Sequence, residues 1–166
     1  DINPAPALFH SVRPDLQQTV IDAIYTLREQ GRQRIAFIGG AGHMMGSHVF
    51  AQDPRTVAFN EWAHLLDMPT DGYVCASGPF TVENGRSQAE ALLDACTDDL
   101  PDAVLVAADP LAVGVIQVLA ARGLRVPDQI AAVSIDNLEV CEYTAPTLSS
   151  YAIDRSELAE TALMLL

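Results

Sequence analysis

Positive charge is what this sequence is shortest of. Its 166 residues carry 9 basic against 22 acidic side chains, a formal charge of −13. Surfaces that grip nucleic acid unaided are basic, so any role on DNA requires a separate basic module. Long apolar runs are missing as well. Nothing approaches the roughly 20 residues a bilayer-spanning helix needs, and no membrane partner is expected. Cysteine is scarce and odd in number: Cys75, Cys96 and Cys141 lie far apart with no CxxC. They read as buried, reduced thiols of a cytoplasmic protein, not as a disulfide framework. The chain starts without Met, without a basic leader and without the apolar core of a signal peptide, so it reads as a fragment or a processed product. His43 and His48 share a loop with no carboxylate or cysteine at ligand spacing, and no metal is expected.

What is present is a regular alternation. Hydrophobic content of 49% with 19% charged residues is that of a compact protein. Asp15 can cap a helix with Leu16, Val20, Ile21, Ile24 and Leu27 on one face, closed at Gly31. "RIAFIGG" (34–40) reads as a buried strand. Asp53-Pro54 opens a second helix carrying Val57, Ala58, Trp62, Leu65 and Leu66. "YVCAS" is a strand, and Thr81 caps a helix that buries Ala89, Leu92, Leu93 and Cys96. "AVLVA" is followed by a helix from Asp109-Pro110 with Leu111, Val115, Val118 and Leu119 in register, ended by Gly123. "IAAVSI", an irregular stretch, "LSSYAI" and a terminal amphipathic helix from about Asp154 complete the order. Strands separated by helices predict an α/β fold of βαβ crossovers on a parallel sheet.

The glycines of "FIGGAGHMMG" raise the possibility of a cofactor loop. A dinucleotide fingerprint wants GxGxxG, a helix immediately after the turn, and an acidic residue at the next strand end. Gly40, Gly42 and Gly46 give a longer spacing, and the next helix start lies at Asp53-Pro54. Glu61, at the distance of the acidic residue, falls inside a helix. The stretch reads as a long loop, no cofactor is expected, and a nucleotide-dependent α/β enzyme is the weaker alternative.

In an open parallel sheet, ligands bind beyond the carboxyl ends of the strands. The residues following each strand place Arg55, Phe80, Ala108, Asp109, Asp136 and Asn137 on one edge. A guanidinium, an aromatic ring and two carboxylates suit a polyhydroxylated ligand: carboxylates accept from neighbouring hydroxyls, the guanidinium donates, and the ring covers a sugar's C–H face. Plainer roles stand beside these. Asp109 before Pro110 suits a helix N-cap, Arg55 an ion pair offsetting an unfavourable first-turn cation, Phe80 the core, and Asp136 a solvent-exposed strand end. No Ser or Cys comes with a His partner, and no sequence-local carboxylate pair suggests acid–base work, so an enzyme is not expected.

At "IAAVSIDNLEVCEYTAPTLSSYAID" the chain resembles the effector-binding core of LacI/GalR-type bacterial transcriptional regulators. "GRQRIAFIGG", "DPRTVAF", "SGPFTVENG" and "DAVLVAADPLAVGVIQVLAARGLRVPDQ" precede it in the family's order. The resemblance covers nearly the whole chain and is similar in wording to the branch that senses galactosides and related oligosaccharides. It implies the type I periplasmic-binding-protein-like fold, with residues 1–31 ending the first lobe, 32–145 forming the second, and 146–166 returning to the first. It further implies a carbohydrate effector held between lobes, a homodimer, and operator DNA bound by an N-terminal helix-turn-helix absent from this chain. A periplasmic sugar-binding protein is the nearest alternative. Arg55, Phe80 and Asp136 match the family's effector contacts. Ala108 and Ala51 replace residues that in other members offer an amide and a hydroxyl. The faces around Leu111–Leu119 and Val140–Tyr143 resemble the family's core dimer interface, with packing inside one chain the plainer role for part of those side chains.

Overall fold

The computed structural model describes residues 11–41, 53–97 and 99–165. Five helices alternate with five strands: α1 (Leu16–Glu29), β1 (Ile35–Gly39), α2 (Pro54–Leu65), β2 (Val74–Ala76), α3 (Val82–Ala95), β3 (Ala103–Val106), α4 (Asp109–Ala121), β4 (Ala131–Asp136), β5 (Ser149–Ala152) and α5 (Arg155–Met164). A short 3-10 helix, Glu139–Tyr143, occupies the stretch between β4 and β5 that the sequence reads as irregular.

All strand pairings are parallel, in the order β2-β1-β3-β4-β5. Strands β1 and β3 are apolar along their whole length, as strands covered on both faces are. Ile35 and Phe37 of β1, with Leu105 of β3 and Ile135 of β4, face one core shared with α1 and α2. Ala36, Ile38, Val104, Val106 and Ala132 face the other, shared with α3 and α4. Phe59 of α2 stacks on Phe37 at 4.9 Å between centroids. Leu65, expected on the buried face of α2, is 67% exposed. At 100° per residue it lies about 120° round the helix from Phe59, and the ring sets which face is buried.

Helices α3 and α4 meet through glycine. A Cβ at Gly85 would stand 2.1 Å from the Leu111 carbonyl oxygen, and one at Gly114 2.2 Å from that of Val82. This close seating takes up Leu111, Val115, Val118 and Leu119, each at most 4% exposed, inside the chain. Of the expected dimer face, these four side chains are core, whereas Gln117 on α4 and Val140, Glu142 and Tyr143 beyond β4 are exposed.

The expected lobe boundaries at 31 and 145 also need correction. α1 supplies Val20, Ala23, Ile24 and Leu27 to the core beneath β1 and β3, and β5 pairs along β4 from Val133↔Ser149 to Asp136↔Ala152. Both described segments belong to this sheet's packing. α5 differs: it buries no residue, and Leu163 and Met164 are exposed. The amphipathic face expected of the terminal helix therefore has no core to meet among the described residues.

Candidate functional site

The strand order places a topological switch between β1 and β3, because the chain leaves β1 outward to β2 and then crosses back to β3. Crevices outside the carboxyl ends of strands at such a point are where open α/β sheets take ligands. Arg55 sits over that point. Its Nη1 donates to the Ala107 carbonyl at 2.7 Å, just beyond β3. Its Nε and Nη2 donate to the two carboxylate oxygens of Asp53 at 2.8 and 2.7 Å.

Asp53 also caps α2 by accepting from the Arg55 backbone N–H at 2.9 Å. One carboxylate thus satisfies the helix terminus and offsets a cation that the macrodipole disfavours. The pair is desolvated, at 9% and 12% side-chain exposure. Of the five N–H donors a guanidinium has, three are taken among the described residues. Of the two roles the sequence sets against each other at Arg55, ligand contact and ion pairing, the geometry provides the ion pair. The sequence shows Asp53 only as a cap. The signal for more was its place two residues ahead of a first-turn arginine.

Phe80 lies 4.8 Å from the Arg55 guanidinium carbon, within cation–π range. Its ring is half-buried and backs onto Gly40, where a Cβ would approach it to 3.0 Å. Gln88 and Asn84, on α3, fix the turn that presents it. The Gln88 amide donates to the carbonyls of Gly39 and Ser77, and Asn84 Nδ2 donates to those of Ser77 and Pro79. Neither was expected at the site, since each reads as an ordinary polar helix residue.

Asp136 ends β4 half-buried on the same edge. Burial pushes its carboxyl above the usual range; Arg55 and Arg155 pull it back, and the neighbouring Asp109 adds to the rise. Its backbone is unusual, with φ of 117° at Asp136 and 51° at Asn137.

Asp109 and Ala108 depart from expectation. Ala108 takes the N-cap position of α4 without any side-chain cap, and Asp109 is the first helical residue. The Asp109 carboxylate is 0% exposed and faces inward. It accepts from Ser134 Oγ, from the Leu138 backbone N–H at 2.6 Å and from Ser150 Oγ at 2.6 Å. Cys141 also leans on it, and burial first, then this hydrogen bond, pushes the thiol up to about 11. Both the cap and the ligand contact read for Asp109 are therefore corrected: three neutral protein donors occupy its oxygens.

Gly40 and Ala41 are described, but Gly42, Gly46, His43, His48 and Ala51 lie outside the described residues. The next helix among the described residues, α2, begins at Pro54, whereas β1 ends at Gly39. Among the described residues no group of three His, Cys, Asp or Glu side chains converges as a metal site would.

Comparison with known proteins identifies the fold and the family. The family model described as a periplasmic binding protein-like domain matches residues 24–166. The HTH-type transcriptional regulator LacR of Lactobacillus helveticus is 40% identical over 163 residues, covering 98% of this chain and 48% of its own. GanR of Bacillus subtilis (strain 168), also an HTH-type transcriptional regulator, is 36% identical over 166 residues, covering 100% and 50%. The chain thus spans about half the length of these relatives. A solved LacI family transcriptional regulator from Arthrobacter sp. FB24, in complex with lactose, superposes with a TM-score of 0.77 at 26% identity, covering 91% of this chain and 54% of that one. By its matched family model, its fold and these relatives, the chain belongs to the periplasmic binding protein-like domain family, in the form carried by LacI-type transcriptional regulators.

Proposed function

We propose that this chain is the effector-binding core of a sugar-responsive LacI-type regulator, acting as a repressor from the cytoplasm and catalysing no reaction. The observation that carries the reading is the Arg55 fork. It is locked by Asp53 over the switch point, lies 4.8 Å from the Phe80 ring, and is close enough to Asp136 to lower its pKa. Donors, a ring and an acceptor on one edge are what a polyhydroxylated ligand needs. The lactose complex of the Arthrobacter relative makes a disaccharide, a galactoside foremost, the first ligand to try.

In this reading the described sheet is one lobe of the cleft, and α5, which buries nothing here, packs in the other. Operator DNA is held by an N-terminal helix-turn-helix in the full-length protein, which accords with a core of charge −13. Exposed Val140 and Tyr143, at 38% and 74%, lie on the homodimer surface. Sugar binding favours one lobe arrangement and so changes how the dimer presents its two heads.

The test is a thermal-shift screen of the full-length parent protein against lactose, cellobiose and NAD. A ligand at about 100 times its dissociation constant adds roughly 2.7 kcal/mol of stability. A raised melting temperature with a disaccharide, and none with NAD, is expected. A shift with NAD alone, or with none of the three, overturns the reading.

A further inference from the structure

Asp109 is a fully buried carboxylate whose oxygens are satisfied by neutral donors. A buried charge without such donors is strongly disfavoured, so their placement is informative. They bracket one short segment. Ser134 lies two residues before Asp136, and Leu138 two residues after it. Ser150, opposite Ser134 in the β4–β5 register, donates to Asp109 Oδ1 and accepts from the Asn137 backbone N–H at 2.9 Å. Positions 134, 137 and 138 are therefore tied to one carboxylate, directly or through a single hydroxyl.

Between those ties the backbone takes φ of 117° at Asp136 and 51° at Asn137. Side-chain-bearing residues resist positive φ and adopt it only where the surroundings over-determine it. The Asp109–Ser150 pair supplies that constraint. A role in capping α4 does not explain the carboxylate, since its side chain makes no cap bond. Arg155 braces the same turn from outside, donating to the Asp136 carbonyl at 3.3 Å.

We infer that Asp109 and Ser150 are positioning residues: they touch no ligand, and hold the strained Asp136–Asn137 turn so that Asp136 presents its carboxylate at the binding edge. This rests on the reading of Asp136 as an effector contact. Loss of the Ser150 hydroxyl frees the Asn137 N–H and one acceptor site of Asp109, and the turn relaxes toward negative φ.

The experiment uses the full-length parent protein with three substitutions: Ser150→Ala, Ser150→Thr as the conservative rescue, and Leu119→Ala as a core control on α4. Lactose affinity is measured by calorimetry, and amide exchange is followed in the peptide spanning 134–141. Ser150→Ala is expected to weaken lactose by about tenfold, the worth of one hydrogen bond to a charged group, and to speed exchange at Asn137. Ser150→Thr should retain both properties. Leu119→Ala should lower the melting temperature and leave both properties as in the parent. The inference is overturned if Ser150→Ala exchanges and binds like the parent, or if Leu119→Ala reproduces its losses. A parent that binds neither lactose nor cellobiose sinks the sugar reading instead. The exchange arm then judges the clamp alone, with faster exchange at Asn137 supporting it and unchanged exchange overturning it.

Discussion

Arg55→Ala tests the desolvated ion pair at the site. The substitution removes three hydrogen bonds, two of them to Asp53, and leaves a carboxylate of 12% exposure without its cation. Breaking a buried pair by deleting one partner costs about 3–5 kcal/mol. Asp53 retains the Arg55 backbone N–H, which survives the change, and this places the cost near the lower bound. In a unit of this size a loss of about 3 kcal/mol lowers the melting temperature by roughly 6–12 °C. Thermal unfolding of the full-length parent without sugar reads this directly. Removing both charges, as in Asp53→Asn with Arg55→Met, should recover most of the loss, because no buried charge is then stranded. An Arg55→Ala variant that melts within measurement error of the parent would refute the reasoning: the pair would then be solvent-screened, as exposed pairs are. The outcome also governs how binding data are read. Affinity lost in Arg55→Ala mixes unfolding with recognition, whereas Arg55→Lys keeps the charge and removes only the fork.

Two further predictions follow from the same geometry. Gly114→Ala would drive a Cβ to 2.2 Å from the Val82 carbonyl oxygen and 2.6 Å from the Arg86 nitrogen, and since these are backbone atoms α3 and α4 must separate. Overpacking of this kind costs about 1–3 kcal/mol or more, visible as a lower melting temperature, and a parent-like melt would contradict the close seating of the helices. Asp136→Asn should stabilise the protein at neutral pH while weakening sugar binding. A carboxyl whose folded pKa is raised makes ionisation costly to the fold, so stability is lost as pH rises through that pKa and is regained below it. The variant's advantage in melting temperature should therefore be full at neutrality and vanish below about pH 3.8, the unperturbed value; a constant advantage at every pH would refute this origin.

Much of the fold is legible in the sequence because strong periodicity and end signals coincide. Asp15, Asp53, Thr81 and Asp154 each cap a helix by accepting from a backbone N–H, as short polar residues ahead of apolar runs should. Asp109 breaks the rule although it looks like Asp53, standing before proline in the same way. Its carboxylate turns inward to Ser134 and Ser150, residues 25 and 41 positions away, and no local pattern reports such distant donors. The apolar face of α4 leaves its partner unstated for a related reason. A helix apolar on one side declares that the side is buried, not against what, and here Gly85 and Gly114 let a second helix of the same chain cover it.

The site itself is legible only as a set of strand ends. That logic placed Arg55, Phe80 and Asp136 on one edge, since sheet order and chain direction alone dictate where strand ends converge. It could not separate residues that face the crevice from residues that hold those in place. Asp53, Gln88, Asn84 and Ser150 are unremarkable as residue types, yet they fix the guanidinium, the ring and the turn. On the proposed function, recognition is built in two layers: a few groups displayed at the switch point, and a polar frame beneath each. Such a frame reduces what ligand binding must order, because the displayed groups already stand in place. The consequence is that substitutions in the frame should alter affinity without removing a single ligand contact, and the Ser150 series isolates that behaviour.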